Sequence, residues 1–318
     1  MKKILRIFAA VLFILLTFSN FLYQWILTRS GRERIRKAVD RLNSKRDAGM
    51  RHPIKDTKEF RDFLKPYEDW CHNADKDIWY LQSFDGLLLK ARHYNCPGSN
   101  RWMIGVHGYG STHEELFPGA KVFHEHGYHV LLVSCRAHDD SEGNDITMGW
   151  YDRLDMMKWI EKLLLRAPKA EIALYGISMG AATVMMISGE VLPSNVKCII
   201  EDCGFTSVME EFTYQIPRYL KIPAFPWNVL ISLVCRLRMG YSFQEASALS
   251  QVKKSKTPIL FIHGSKDKFI PVSMVYRLYD AADCPKELYI VEGASHAVSY
   301  YVDAENYWKK IFAFIDQF

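Results

Sequence analysis

The sequence predicts an α/β domain built on a mostly parallel central sheet with helices on both faces. Three observations predict it. Short apolar runs recur at residues 102–106, 130–134, 171–175, 196–200, 259–262 and 288–291, with helical stretches at 151–165, 179–191 and 272–281 between several of them. Buried strands alternating with helices make a parallel sheet covered on both sides. Asp85-Gly86 separates strand-like segments at 79–84 and 87–94, a hairpin signal that places antiparallel strands at one edge. Finally, Gly176-Ile177-Ser178-Met179-Gly180 joins a strand directly to a helix, a turn that parallel α/β sheets use to present a side chain.

Length and composition agree with that class. The chain has 318 residues, 49% of them hydrophobic, enough for a sizeable core and too many for a disordered chain. The net charge of +5 hides a division. Residues 1–65 hold 16 Lys/Arg against 6 Asp/Glu, whereas the remainder holds 25 against 30. A basic arm thus precedes a mildly acidic body, and the body has no basic footprint for nucleic acid. Seven cysteines, an odd number with no C-x-x-C pair, indicate neither a disulfide framework nor a zinc site.

The arm opens with Lys2, Lys3 and Arg6, after which residues 7–28 carry no charge. As a helix, that run would extend about 33 Å at 1.5 Å per residue, enough to cross a bilayer. Thr17, Ser19, Asn20 and Gln24 dilute its second half. Bulky Phe21, Tyr23 and Trp25 stand where a signal peptidase needs small residues, so an uncleaved anchor is favoured over a signal peptide. The expectation is a single-pass membrane protein with residues 1–28 as transmembrane anchor, the side of the catalytic domain left open. Residues 29–75 are expected to form a basic helical linker, with helical apolar spacing at Ile35, Val39 and Leu42, then at Phe60, Phe63 and Leu64.

The globular domain is placed at 76–318, closed by a last helix at 304–315. Residues 205–250 break the strand–helix rhythm with a density of aromatics and prolines, and are expected to form a lid insertion over the sheet's C-terminal edge. Phe205, Phe212, Tyr219 and Trp227 are the candidate substrate-pocket residues.

The chemistry is expected at Ser178. A serine hydroxyl is a poor nucleophile until a base takes its proton, and that base must be held by an acid. His296, in Gly293-Ala294-Ser295-His296, follows the last strand, and Asp267, in His263-Gly264-Ser265-Lys266-Asp267, follows the strand before it. The order Ser178, Asp267, His296 is that of a strand–turn–helix nucleophile, and each residue falls beyond the C-terminal end of a strand. Asp202, at the end of the 196–200 strand, is the weaker candidate for the acid. A tetrahedral intermediate needs two N–H donors. Met179, next to the nucleophile, and Tyr109, in His107-Gly108-Tyr109-Gly110 after the 102–106 strand, are the candidates. His124-Glu125-His126 does not read as a metal site, because residues two apart on a helix point to different faces.

Residues 79–318 resemble the α/β-hydrolase superfamily through HGYGS at 107–111, GISMGAATVMM at 176–186, EDCGFTS at 201–207 and FIHGSKDKFIP at 261–271. The resemblance is closest to a bacterial membrane-anchored serine hydrolase branch near the prolyl-oligopeptidase-type peptidases. It implies the α/β-hydrolase fold with a lid insertion, here preceded by an N-terminal transmembrane helix. Relatives carry an Arg-x-His-Gly-x-Ser loop where this chain reads Arg136-Ala137-His138-Asp139-Asp140-Ser141, so Asp139 stands in place of a glycine.

The function expected is a serine hydrolase that cleaves carboxylic esters through an acyl-enzyme, without metal or organic cofactor. Its partners would be a small-molecule ester or short peptide, and the membrane through residues 7–28. A peptidase or amidase on the same residues is the alternative within enzymes, and a non-catalytic membrane-anchored interaction protein is the alternative outside them. Serine rather than aspartate at position 178 disfavours dehalogenase and epoxide hydrolase chemistry.

Overall fold

The computed structural model describes residues 2–34, 37, 54–55 and 57–318. Its centre is an eight-stranded sheet of β1 (Asp77–Gln82), β2 (Leu88–Tyr94), β3 (Arg101–Val106), β4 (His129–Val133), β5 (Glu171–Ile177), β6 (Val196–Asp202), β7 (Ile259–Gly264) and β8 (Lys286–Val291). The spatial order is β1-β2-β4-β3-β5-β6-β7-β8. Only β2 runs against the rest, pairing antiparallel with both β1 and β4. Gly86 adopts φ +91° in the β1–β2 turn, a conformation glycine takes without strain.

Alternate residues of the inner strands feed two cores. On one face Ile104, Leu131, Leu174, Ile199 and Phe261 pack with Trp159 and Leu163 of α4 (Asp152–Arg166) and Met185 of α5 (Met179–Ile187). On the other, Met103, Leu132, Tyr175, Ile200 and Ile262 pack with Phe123 of α3 (Phe117–Glu125) and with Tyr307, Ile311 and Phe314 of α11 (Ala304–Ile315). Each such side chain, fully buried, contributes about 1.5–3 kcal/mol. Strands buried on both faces explain why the sequence shows continuous apolar runs rather than alternation.

Between β6 and β7 the chain leaves the sheet as α6 (Val208–Tyr219), α7 (Trp227–Met239) and α8 (Ala248–Val252). The remaining helices are α9 (Ser273–Ala281) and the short α10 (Ser299–Val302).

The N-terminal expectation is overturned. Helix α1 (Lys2–Ile26) forms, but among the described residues no helix is long and apolar enough to cross a membrane. The single-pass anchor at 7–28, the transmembrane helix and the membrane localisation are therefore corrected. The polar residues Thr17, Ser19, Asn20 and Gln24 lower the apolar character of the run, and its end belongs to the body. Leu22, Tyr23 and Leu27 are buried in the first core, Phe18 meets Trp227 of α7 edge-on at 4.8 Å, and the Tyr23 hydroxyl donates to Asp145 at 2.9 Å. A helical stretch follows at 29–34. The predicted apolar positions Ile35, Val39 and Leu42 lie outside the described residues. Helix α2 (Lys58–Asn73) buries Phe60 and Cys71 against the second core.

Candidate active site

Ser178 sits between β5 and α5 with φ +58° and ψ −115°, a backbone that a non-glycine residue holds only under constraint. The constraint is visible. The Ser178 N–H donates to the Asp202 carbonyl at 2.8 Å, and the flanking glycines let the turn close. A Cβ at Gly176 would overlap the Gly180 carbonyl oxygen, and one at Gly180 would overlap the Val106 carbonyl oxygen.

The structure brings the three predicted side chains together. His296 Nε2 lies 2.9 Å from Ser178 Oγ, and His296 Nδ1 lies 2.7 Å from Asp267 Oδ2. With Nδ1–H donating to the carboxylate, Nε2 keeps its lone pair toward the serine hydroxyl. Asp267 Oδ1 accepts the Phe269 and Ile270 N–H groups at 2.8 and 2.9 Å. Burial works against ionisation of Asp267, but hydrogen bonds from His263 and His296 outweigh it and hold the carboxyl well below its usual range. The weaker acid candidate is occupied elsewhere: Asp202 accepts from Ser299 Oγ at 3.1 Å and Tyr307 Oη at 3.0 Å, and burial raises it to about 6.

The loop after β3 presses on Ser178. A Cβ at Gly108 would lie 3.2 Å from Ser178 Cβ. Within this loop the Gly108 N–H donates to Glu115 Oε2 at 2.7 Å and the Gly110 N–H to His138 Nε2 at 3.1 Å. Among the described residues the Tyr109 N–H has no partner. Met179 is the first residue of α5, where helix geometry leaves its N–H without an intrahelical acceptor. Both candidate donors are thus without an acceptor among the described residues. His138 is held neutral by burial; it donates from Nδ1 to the Arg136 carbonyl at 2.9 Å, which leaves Nε2 as an acceptor.

Asp139 takes the glycine's left-handed conformation at φ +46°. Its carboxylate accepts from Ser134 Oγ at 2.9 Å, Arg92 at 3.2 Å and His113, and these contacts compensate the strain and fix the loop.

The candidate pocket residues separate. Phe205 and Phe212 are buried in the first core, Phe212 against Phe243 at 4.5 Å, and Trp227 packs on Phe18. Tyr219 is exposed and approaches Phe269 at 6.2 Å, whose ring lies 4.8 Å from His296. Sequence reasoning missed Phe269, Glu115 and His138. It also missed His263, whose Nε2 donates to the Ile270 carbonyl at 2.9 Å and lies 3.4 Å from Asp267. Behind it Glu201 is fully buried, and burial raises its carboxyl to about 8. The spacing His263-x-x-x-Asp267 was the available signal.

Cys203, Asp267 and His296 offer donor atoms within 4.8 Å of one another. They do not fit a metal: the Asp267 oxygens already accept from the Phe269 and Ile270 N–H groups and from His296, with His263 beside them, and burial pushes the Cys203 thiol well up, so that it stays protonated.

Comparison with known proteins gives the family. The prolyl oligopeptidase family matches residues 138–318, a stretch that includes Ser178, Asp267 and His296. The chain belongs to the prolyl oligopeptidase family. A Bacillus subtilis relative, YqkD, described as uncharacterised, is 29% identical over 81% of this chain and 88% of its own. The lysophosphatidylserine lipase ABHD12 of Danio rerio is 26% identical over 78% of this chain, which spans 63% of the lipase. Among solved structures, the Pyrococcus furiosus esterase Pf2001 superposes with a TM-score of 0.64 at 21% identity, over 86% of this chain and 98% of the esterase. That likeness shows the α/β-hydrolase fold. The chain is an enzyme of the serine hydrolase class.

Proposed function

We propose that this family member hydrolyses carboxylic esters through an acyl-enzyme on Ser178. The observation that carries the proposal is the continuous hydrogen-bonded line Ser178–His296–Asp267, at 2.9 and 2.7 Å, ending on an ionised buried carboxylate. Ser178 Oγ passes its proton to His296 Nε2 as it bonds to the substrate carbonyl carbon, and the carbonyl oxygen becomes an oxyanion facing the Tyr109 and Met179 N–H groups. Collapse expels the alcohol, which takes the proton from His296. Water, deprotonated by the same nitrogen, then releases the acid and restores the serine.

Both the lipase relative and the esterase neighbour support an ester as the scissile bond. The acyl group would rest against Phe269 and Tyr219, beside His296. Apolar walls reward each buried methylene by about 0.8 kcal/mol, nearly fourfold in kcat/KM. The test is a kcat/KM series over p-nitrophenyl esters from acetyl to dodecanoyl, run beside aminoacyl p-nitroanilides. The proposal predicts a rise to butyryl or hexanoyl and a fall for long chains. The family match favours a second reading, an amidase or peptidase on the same residues. A flat ester profile with preference for the anilides would select it.

A further inference from the structure

We infer that the N-terminal segment braces the oxyanion loop, so that residues 26–29 act as positioning residues for the Tyr109 N–H. The inference rests on the proposed role of that N–H.

Two tethers run from the segment to the loop, one to the Tyr109 side chain and one to the Gly110 N–H that follows it. The first is direct. The partly buried Tyr109 phenol donates to the Ile26 carbonyl at the end of α1. The second passes through one loop. Arg29 Nε donates to the Ala137 carbonyl at 3.1 Å and its Nη2 to the Ser141 carbonyl, so one guanidinium grips both ends of the 137–141 turn. That turn carries His138, whose Nε2 accepts the Gly110 N–H. Arg32 lies against the same glycine, its Cδ 3.5 Å from where a Cβ would stand.

The segment is itself fixed to the body. The Arg29 N–H donates to the Asn144 carbonyl at 2.7 Å, the Ile146 N–H donates to the Leu27 carbonyl at 2.8 Å, and Thr28 bridges Asp145. Tyr23 holds Asp145 from one turn earlier. A brace so placed matters because oxyanion stabilisation is geometric. A donor must meet the oxygen where charge develops, and a small displacement loses much of its effect while ground-state binding stays intact. Gly108 and Gly110 flank Tyr109, and Gly110 has φ +77°. This flexible stretch holds one conformation because both glycine N–H groups and the phenol are tied down.

The test uses the full chain with Tyr109→Phe, which removes the phenol tether and keeps the backbone N–H, and Arg29→Ala, which touches neither substrate nor reacting atoms. Tyr289→Phe, which loses a phenol–carboxylate bond to Asp303 away from the loop, is the control. Each is assayed for kcat and KM on p-nitrophenyl butyrate, for Tm, and for inhibition by an alkyl boronic acid, which adds to the Ser178 hydroxyl as a tetrahedral anion. The brace predicts a kcat loss of about tenfold to a hundredfold in Tyr109→Phe and about three- to tenfold in Arg29→Ala. KM should stay within twofold, and the boronate Ki should rise by the same factor as kcat falls. Tyr289→Phe should leave all three kinetic constants unchanged. Unchanged kcat and Ki in both brace variants, with Ser178→Ala inactive, would overturn the brace and leave the proposed function standing. A raised KM at constant kcat would overturn it too, making the segment a substrate wall. Wild-type turnover by Ser178→Ala would instead remove the function on which the brace rests.

Discussion

Asp267→Asn tests the proposed acid with almost no change of shape. Asp267 Oδ1 accepts two backbone N–H groups, and an asparagine oxygen keeps both. The new amide NH2 therefore takes the place of Oδ2, 2.7 Å from His296 Nδ1 and 3.4 Å from His263 Nε2. Two N–H groups cannot face each other at 2.7 Å, so His296 moves its proton to Nε2 and presents it to Ser178 Oγ. The base is then blocked in its resting tautomer. Loss of the base and of imidazolium stabilisation lowers kcat by about 10⁴-fold, about 5.5 kcal/mol at 1.36 kcal/mol per decade. The facing His263 N–H adds a stability loss of about 1–2 kcal/mol, because it no longer sees an anion. Asp202→Asn is the comparison: that carboxylate holds Tyr307 and Ser299, not His296, so its loss should lower Tm while kcat changes less than tenfold. Initial rates on p-nitrophenyl butyrate, with circular dichroism to verify folding, decide the matter. A larger kcat loss in Asp202→Asn than in Asp267→Asn would refute the assignment of the acid.

Three further outcomes follow from particular contacts. Glu201 titrates near 8 in the fold against 4.5 unfolded, so the folded state keeps a proton that the unfolded chain has lost; stability is full below 4.5 and falls until about pH 8. Glu201→Gln should remove that slope, and Tm measured at about pH 5 and about pH 9 should show the variant gaining on wild type only at the higher pH; parallel Tm values would refute the buried-acid assignment. Gly180→Ala puts a methyl into the Val106 carbonyl and should destabilise by roughly 3 kcal/mol or abolish folding, measured by urea denaturation; a wild-type midpoint would mean that the turn around Ser178 has room for a methyl. Tyr219→Ala removes an exposed ring next to Phe269 and should shift the best acyl length upward with little effect on Tm; an unchanged acyl profile would take Tyr219 out of the pocket.

What the sequence made legible was what covalent order and periodicity encode. Apolar runs located the inner strands to within a residue or two, because strands buried on both faces have no polar side to confuse the pattern. The convergence of Ser178, Asp267 and His296 was readable because each follows a strand end, and parallel strands bring their C-terminal ends to one edge. The segments that depend on a distant partner were not readable. Residues 7–28 are uncharged all round, and Phe13, Ile14 and Phe21 are exposed while Leu22, Tyr23 and Leu27 are buried. Which face meets the body is decided by Trp227 and Asp145, more than a hundred residues away. The insertion's aromatics posed the same problem. Their density announced an apolar element, but only packing separates Phe205 and Phe212 in the core from Tyr219 at the surface. Asp139 was the most informative departure. It holds a glycine's backbone angle because Ser134, Arg92 and His113, from three other positions in the chain, converge on its carboxylate.

The central claim is that Ser178 is the nucleophile, and covalent labelling tests it most directly. Wild-type protein and Ser178→Ala are treated with a fluorophosphonate and examined by intact mass and peptide mapping. A single adduct on the peptide containing Ser178, absent from the variant and slowed by about 10⁴ in Asp267→Asn, is the predicted result. Labelling at another serine, or ester hydrolysis by Ser178→Ala at the wild-type rate, would contradict it.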